Sequence, residues 1–130
     1  MRNLNTHIPV KEFYNSRREP ITSLADLKAR KKDSWTNCTN ASSFTLEISG
    51  ATSIKCKLKG CININDVNEK RLEERVYHPI QMIDLSNYSL VDEITKDGLY
   101  MIAITGIQEI MPEITEVSGA AIIVGAWSDD

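Results

Sequence analysis

Cysteine, histidine and carboxylate side chains are the groups that could carry chemistry in this 130-residue sequence, and their spacing limits what that chemistry is. Three cysteines are present, Cys38, Cys56 and Cys61, with four residues between the last two. A structural zinc site draws four ligands from tight pairs, whereas the two histidines, His7 and His78, lie far apart and no ligand cluster accompanies the cysteines. Neither a metal nor a cofactor is expected. An odd number of cysteines and no secretion-type leader argue against a disulfide framework and for reduced thiols, with Cys56 as a small core residue. Cys38 or Cys61 with His78 would make a nucleophile and base, but no local motif supports the pairing. Adjacent acids occur at Glu73-Glu74, Asp92-Glu93 and Asp129-Asp130. Glycosidases set two carboxyls across a scissile bond, and neighbours on a loop or terminus are ordinarily solvated charge instead. The serine-hydrolase elbow, the zinc-protease His pair, the phosphate-binding loop and the dinucleotide fingerprint are all missing. Three glycosylation sequons, at Asn37, Asn40 and Asn87, matter only in a secretory lumen. The reading is non-enzymatic.

Charge is the stronger signal. The net charge of -3 conceals a polarity along the chain: residues 1–35 hold eight basic residues against four acids, whereas residues 76–130 hold Lys96 against nine. A basic leader of net +4 and a C-terminal region of net -8 suit a tail that docks on an acidic surface, such as a neighbouring copy's. Nucleic acid is the weaker reading, because Glu12, Glu19, Asp26 and Asp33 are interspersed among the basic residues. No apolar run reaches the roughly 18 residues of a membrane-spanning helix, so no membrane partner is expected.

The elements that must position these residues are mostly strands. Residues 1–35 read as an extended N-terminal arm, with a short helix from Thr22 to Lys32. Thr22 or Ser23 caps it, Asp26 lies in its first turn and Arg30 to Lys32 lie near its negative end. Residues 36–130 read as a β-sandwich or jelly-roll-like domain. Phe44, Leu46 and Ile48 alternate with polar residues up to Gly50, and Ile54, Cys56 and Leu58 alternate with Lys55, Lys57 and Lys59 up to Gly60. Period-2 alternation buries one set, and the short gap at Gly50-Ala51-Thr52 predicts a hairpin. The lysine face reads as a solvated face or as protection against edge-to-edge aggregation. Asn65–Arg75 reads as a charged loop or a single helical turn, and Pro79 predicts an edge strand or a strand start. Leu99–Ile107 reads as a buried strand. Beyond Gly106, Ile110, Pro112 and Ile114 share one parity while Glu109, Glu113 and Thr115 face outward or line the edge, and after a Ser118-Gly119 turn Ala120–Trp127 returns as a strand. Apolar residues on both parities of Ala120–Trp127 imply an inner strand or a subunit contact. Trp35, at the junction of arm and domain, and Trp127 are read as interface anchors ahead of a sugar platform.

The C-terminal third resembles a pattern of small all-β structural proteins of tailed bacteriophages and prophages. It runs Asp97-Gly98-Leu99-Tyr100, then Ile102 and Ile104, Gly106-Ile107, Ile110 to Val117, Ser118-Gly119 and Ala120 to Ala126. It covers about 35 residues, Pro112 interrupts one of its strands, and the 35-residue arm has no counterpart in it. The resemblance implies a virion component that works by assembly in the bacterial host cytoplasm. Capsid decoration or an accessory head role comes first, then a neck, tail or baseplate position. The implied partners are other virion proteins and further copies of the chain, a trimer being the expected state. A carbohydrate-binding module for host-surface sugars is the alternative from another class. The residues expected at the interface are Arg17, Arg18, Arg30, Lys31, Lys32, Trp35 and Trp127.

Overall fold

The structure, a computed structural model, describes residues 9–18, 36–38, 41–62 and 76–128. Within them lie eight strands: β1 (Val10–Asn15), β2 (Thr36–Asn37), β3 (Ser43–Cys61), β4 (His78–Ile80), β5 (Met82–Asp84), β6 (Ser89–Val91), β7 (Gly98–Ala103) and β8 (Glu109–Ser128). The described residues form no helix that is long and apolar enough to cross a membrane. All strand pairings are antiparallel, so the all-β expectation holds. Hydrogen bonds join the strands into one sheet in the order β1-β8-β3-β7-β5-β6, with β2 also on β8 and β4 also on β3. The sequence predicted a sandwich or jelly roll; what is seen is a single sheet whose two longest strands serve both of its ends.

Those two strands, 19 and 20 residues long, pair along their whole length, from Ser43 opposite Ser128 to Cys61 opposite Glu109. The expected hairpin at Gly50 and the expected turn at Ser118-Gly119 are therefore corrected. Both are kinks within continuous strands, and they face each other, since Ala51 pairs with Gly119 and the register shifts there. Gly50 and Gly119 both adopt positive φ, at 73° and 87°, a region where a Cβ is strongly disfavoured. At Gly119 an added Cβ would stand 2.7 Å from the Thr52 backbone nitrogen. The Asp97 carboxylate clamps the bend by accepting the amides of Gly50 and Ala51 at 2.9 and 3.1 Å. A bulge pair and a hairpin use the same turn residues, so local turn chemistry does not separate a kink from a reversal.

The alternation in β3 survives the kink. Phe44, Leu46 and Ile48 before it, and Ile54, Cys56 and Leu58 after it, all enter one core that also takes Phe13, Tyr14, Met82, Ile94, Tyr100, Ile104, Ile110, Ala121 and Ile123. The last stretch of β8 is an inner strand between β1 and β3, in line with its apolar residues on both parities. Pro112 fits because, among the described residues, β2 pairs with β8 at Glu109 and Ile110 and Pro112 has β3 as its strand neighbour. Pro79 sits on β4, an edge strand, as predicted.

Part of the expected arm is a strand. Residues 10–15, assigned by sequence to an extended arm, form β1 on the edge of the sheet, with Phe13 and Tyr14 buried. They lack a sustained period-2 pattern because a bulge between Glu12 and Tyr14 places two successive aromatics in the core. The helix expected over Thr22–Lys32 and the charged loop at Asn65–Arg75 lie outside the described residues.

Candidate functional site

The thiols are sequestered. Cys38 and Cys56 are buried, and burial pushes both up to about 12 from 9.0; Glu113 and Glu93 push Cys56 further in the same direction, whereas Lys11 works against the shift at Cys38. A nucleophile needs the thiolate, so at neutral pH these two act as small apolar core residues. Cys61 is half-buried, and none of the three is in a disulfide. Cys56 and Cys61 sit on opposite parities of β3, and His78 is exposed on β4. Among the described residues no three His, Cys, Asp or Glu side chains converge as metal ligands would.

Two acids occupy places the sequence did not suggest. Glu109 and Glu113, expected to face outward, are buried at the start of β8. The Tyr77 hydroxyl donates to Glu109 Oε2 at 3.0 Å, and Lys59 Nζ meets Glu113 Oε2 at 3.1 Å. Residues 109–113 are buried on both parities. Met111, apolar among outward-facing positions, was the one signal of it. Of the adjacent acids, Asp92 accepts from Gln81 Nε2 at 2.8 Å across β5 and β6, whereas Glu73-Glu74 and Asp129-Asp130 lie outside the described residues.

The expected interface residues divide into three groups. Arg17 and Arg18 are exposed in the turn after β1, and Arg18 meets Glu12 at 3.3 Å. Arg30, Lys31, Lys32 and Trp35 lie outside the described residues. Trp127 is half-buried and stacks on Phe44 with ring centres 6.4 Å apart and planes 7° apart. Phe13 packs on the other side, 6.2 Å from Phe44. These three rings tie β1, β3 and β8 together, so Trp127 serves the fold here. Gly125 makes room for them: a Cβ there would lie 2.5 Å from Phe13 Cε2 and 2.7 Å from Phe44 Cζ.

The sheet's outer face carries a feature that no motif announced. Register places Leu90, Ile83, Met101 and Thr45 in one row across β6, β5, β7 and β3, and the row continues through Ala126 to Val10. The adjoining row holds Leu99 beside Glu47, and Leu85 closes onto it through its amide bond to the Leu99 carbonyl at 3.0 Å. Tyr88, at the tip of the β5–β6 turn, is 81% exposed and Leu90 is 61% exposed. Leu99 and Met101 are exposed as well. A cluster of this kind on a sheet face is unusual for an isolated soluble domain, which scatters its exposed apolar residues.

The turn that presents Tyr88 is firmly built. Asp84 Oδ1 accepts from the Ser86 amide at 2.9 Å and hydroxyl at 2.7 Å, while Asn87 Oδ1 accepts from the Ser89 amide at 3.0 Å and hydroxyl at 2.6 Å. The Tyr88 amide reaches the Asp84 carbonyl at 2.7 Å. Together these bonds hold Tyr88 at φ 58°, a left-handed backbone rare for a bulky residue. The Ser86 bonds, chiefly, also hold the Asp84 carboxyl below its ordinary 3.8, with Lys96 assisting from 3.9 Å.

Two solved structures share this fold. The SPBc2 prophage-derived protein YomS aligns with a TM-score of 0.59 at 17% identity, covering 72% of this chain and 76% of that one. The PBSX exported protein XepA aligns with the same TM-score and identity, but the match spans 31% of its length. No family model matches the chain. No curated protein matches it in sequence.

Proposed function

We propose that this chain is a non-enzymatic structural protein of a phage or prophage particle, acting as a capsid decoration or accessory head protein. The observation that carries the reading is the fold held in common with two proteins of prophages, SPBc2 and PBSX. It is supported by the apolar outer face, which suits a protein that works by contact with other subunits. In this reading the kinked sheet is a rigid, sandwich-like slab. Its partners are other virion proteins and further copies of itself, and its location is the virion. Neck, tail or baseplate positions use the same properties, and the head is preferred only on the sequence resemblance.

The test is incorporation. Particles induced from the host that encodes the chain are banded on a density gradient and probed with an antibody to it, and immunogold labelling then assigns head or tail. Co-banding at a fixed copy number is expected, and a chain absent from the banded particles overturns the proposal. A second reading, carbohydrate binding, is favoured by the exposed Tyr88 ring between Asn87 and Ser89. Glycan-array signal that disappears in Tyr88→Ala would select it.

A further inference from the structure

We propose that this chain self-associates head to tail: the apolar outer face of β6, β5 and β7 in one copy receives the basic β1 edge of the next. The proposal deepens the oligomeric part of the function proposed above and rests on it. Its first support is the clustering of the exposed apolar side chains. Leu90, Leu99 and Met101 share one face of three neighbouring strands with Ile83 between them, and exposed Tyr88 stands in the β5–β6 turn at the end of that face. The tip residue is also pre-organised, since its backbone is fixed by the four Asp84 and Asn87 side-chain bonds before any partner arrives. A rigid aromatic anchor beside aliphatic neighbours is the composition of an interface centre.

Charge identifies the occupant. The residues around the patch are mainly acidic: Glu47 on β3 and Asp92 and Asp97 in the β6–β7 connection are exposed, against Lys96, which meets Asp84 at 3.9 Å. The β1 edge has the opposite character: Lys11, Arg17 and Arg18 outnumber Glu12, and Val10 adds an exposed apolar side chain. The Arg18–Glu12 pair is exposed and so contributes little to holding those charges in place.

Geometry then makes the contact intermolecular. β1 and β6 are the two ends of the strand order and do not pair with each other. The basic edge is therefore not seated on the β6–β5–β7 patch of its own copy, and the contact proposed is one between copies. A contact joining two different surfaces is heterologous and builds a closed ring or an open chain, unlike the self-complementary patch of a two-fold dimer.

Heterologous contact has a test that two-fold contact fails. The full chain is studied by sedimentation velocity over a wide concentration range, together with two kinds of variant. Tyr88→Gly and Leu90→Glu disable the patch; Arg17→Glu with Arg18→Glu disables the edge. Tyr88→Gly is the safeguard for folding, because glycine takes the left-handed backbone without strain, and circular dichroism confirms the fold of each. The unmodified chain is expected to form species larger than the monomer, with each variant weakened roughly tenfold or more. A mixture of the Leu90→Glu chain and the Arg17→Glu/Arg18→Glu chain retains one intact patch and one intact edge, and is expected to give a heterodimer. A monomeric parent chain, variants that associate like the parent, or a mixture that stays monomeric each overturn the proposal. A monomeric chain still found in particles sinks the head-to-tail contact alone. A chain that associates as described but is absent from particles sinks the particle reading alone.

Discussion

Substituting Gly125 by alanine tests whether β1 belongs to the folded unit, because that glycine exists to admit the Phe13 ring. Its backbone is not left-handed, so the whole effect of a methyl group there is steric. The added carbon would sit 2.5 Å from Phe13 Cε2 and 2.7 Å from Phe44 Cζ, against an ordinary carbon–carbon contact of about 3.5–4.0 Å. Overpacking of a tight core costs about 1–3 kcal/mol, and two aromatic rings meeting one methyl argue for about 2. The alternative relief, undocking Phe13, forfeits the burial of a whole aromatic side chain, about 3–5 kcal/mol, so strain in place is the cheaper response. With a urea slope of about 2 kcal/mol per molar, the unfolding midpoint should fall by about 1 M. The decisive measurement is the double-mutant cycle with Phe13→Ala. Removing the ring opens half of the space, so Gly125→Ala should then cost at least about 1 kcal/mol less. A neutral Gly125→Ala, or strict additivity with Phe13→Ala, would refute the docking of β1 against β8 through this glycine.

Three further outcomes are expected. Cys38 and Cys56, held as thiols up to about 12 against 9.0 in the unfolded chain, contribute stability that is fully present below about pH 9. That contribution is lost as pH rises toward 12, so urea midpoints at pH 8 and 10.5 should differ less in Cys56→Ala than in the parent. Asp84, whose folded carboxyl lies below 3.8, contributes stability present above that value and lost as pH falls through the depressed one. Asp84→Asn should therefore flatten the acid limb of the stability profile, and an unchanged limb counts against the Ser86 bonds as its cause. Asp97→Ala removes both acceptors at the bend, and exposed charge-assisted bonds of this kind make a loss of about 1–2 kcal/mol the expectation by chemical denaturation.

Much of the strand content was legible because one face of each strand is buried. Phe44, Leu46 and Ile48, and later Ile54, Cys56 and Leu58, announce their period without knowledge of any partner. Connectivity was not legible. Gly50 and Gly119 carry the local chemistry of turns, and only the partner strand, 68 residues from Ala51 to Gly119, makes them kinks in a ribbon. β1 was missed because the bulge at Glu12–Tyr14 breaks its alternation. Glu109 and Glu113 looked solvated because nothing local reveals that Tyr77 and Lys59 will cover them. The outer apolar face was invisible for a different reason: Leu90 meets Leu99 and Met101 only through register across three strands, beside the turn that carries Tyr88.

The long β3–β8 pairing also fixes a schedule. β3 is complete at Cys61, but the last of its partner, Ser128, emerges 67 residues later, about 3–13 s of ribosomal synthesis. Until β4 emerges Leu58 has no strand to lie beside, and until β7 emerges neither do Phe44 and Leu46, and the β8 pairing that completes their cover closes large loops, which slows it. Lys55, Lys57 and Lys59 are then the gatekeepers that keep a waiting strand from finding the wrong companion.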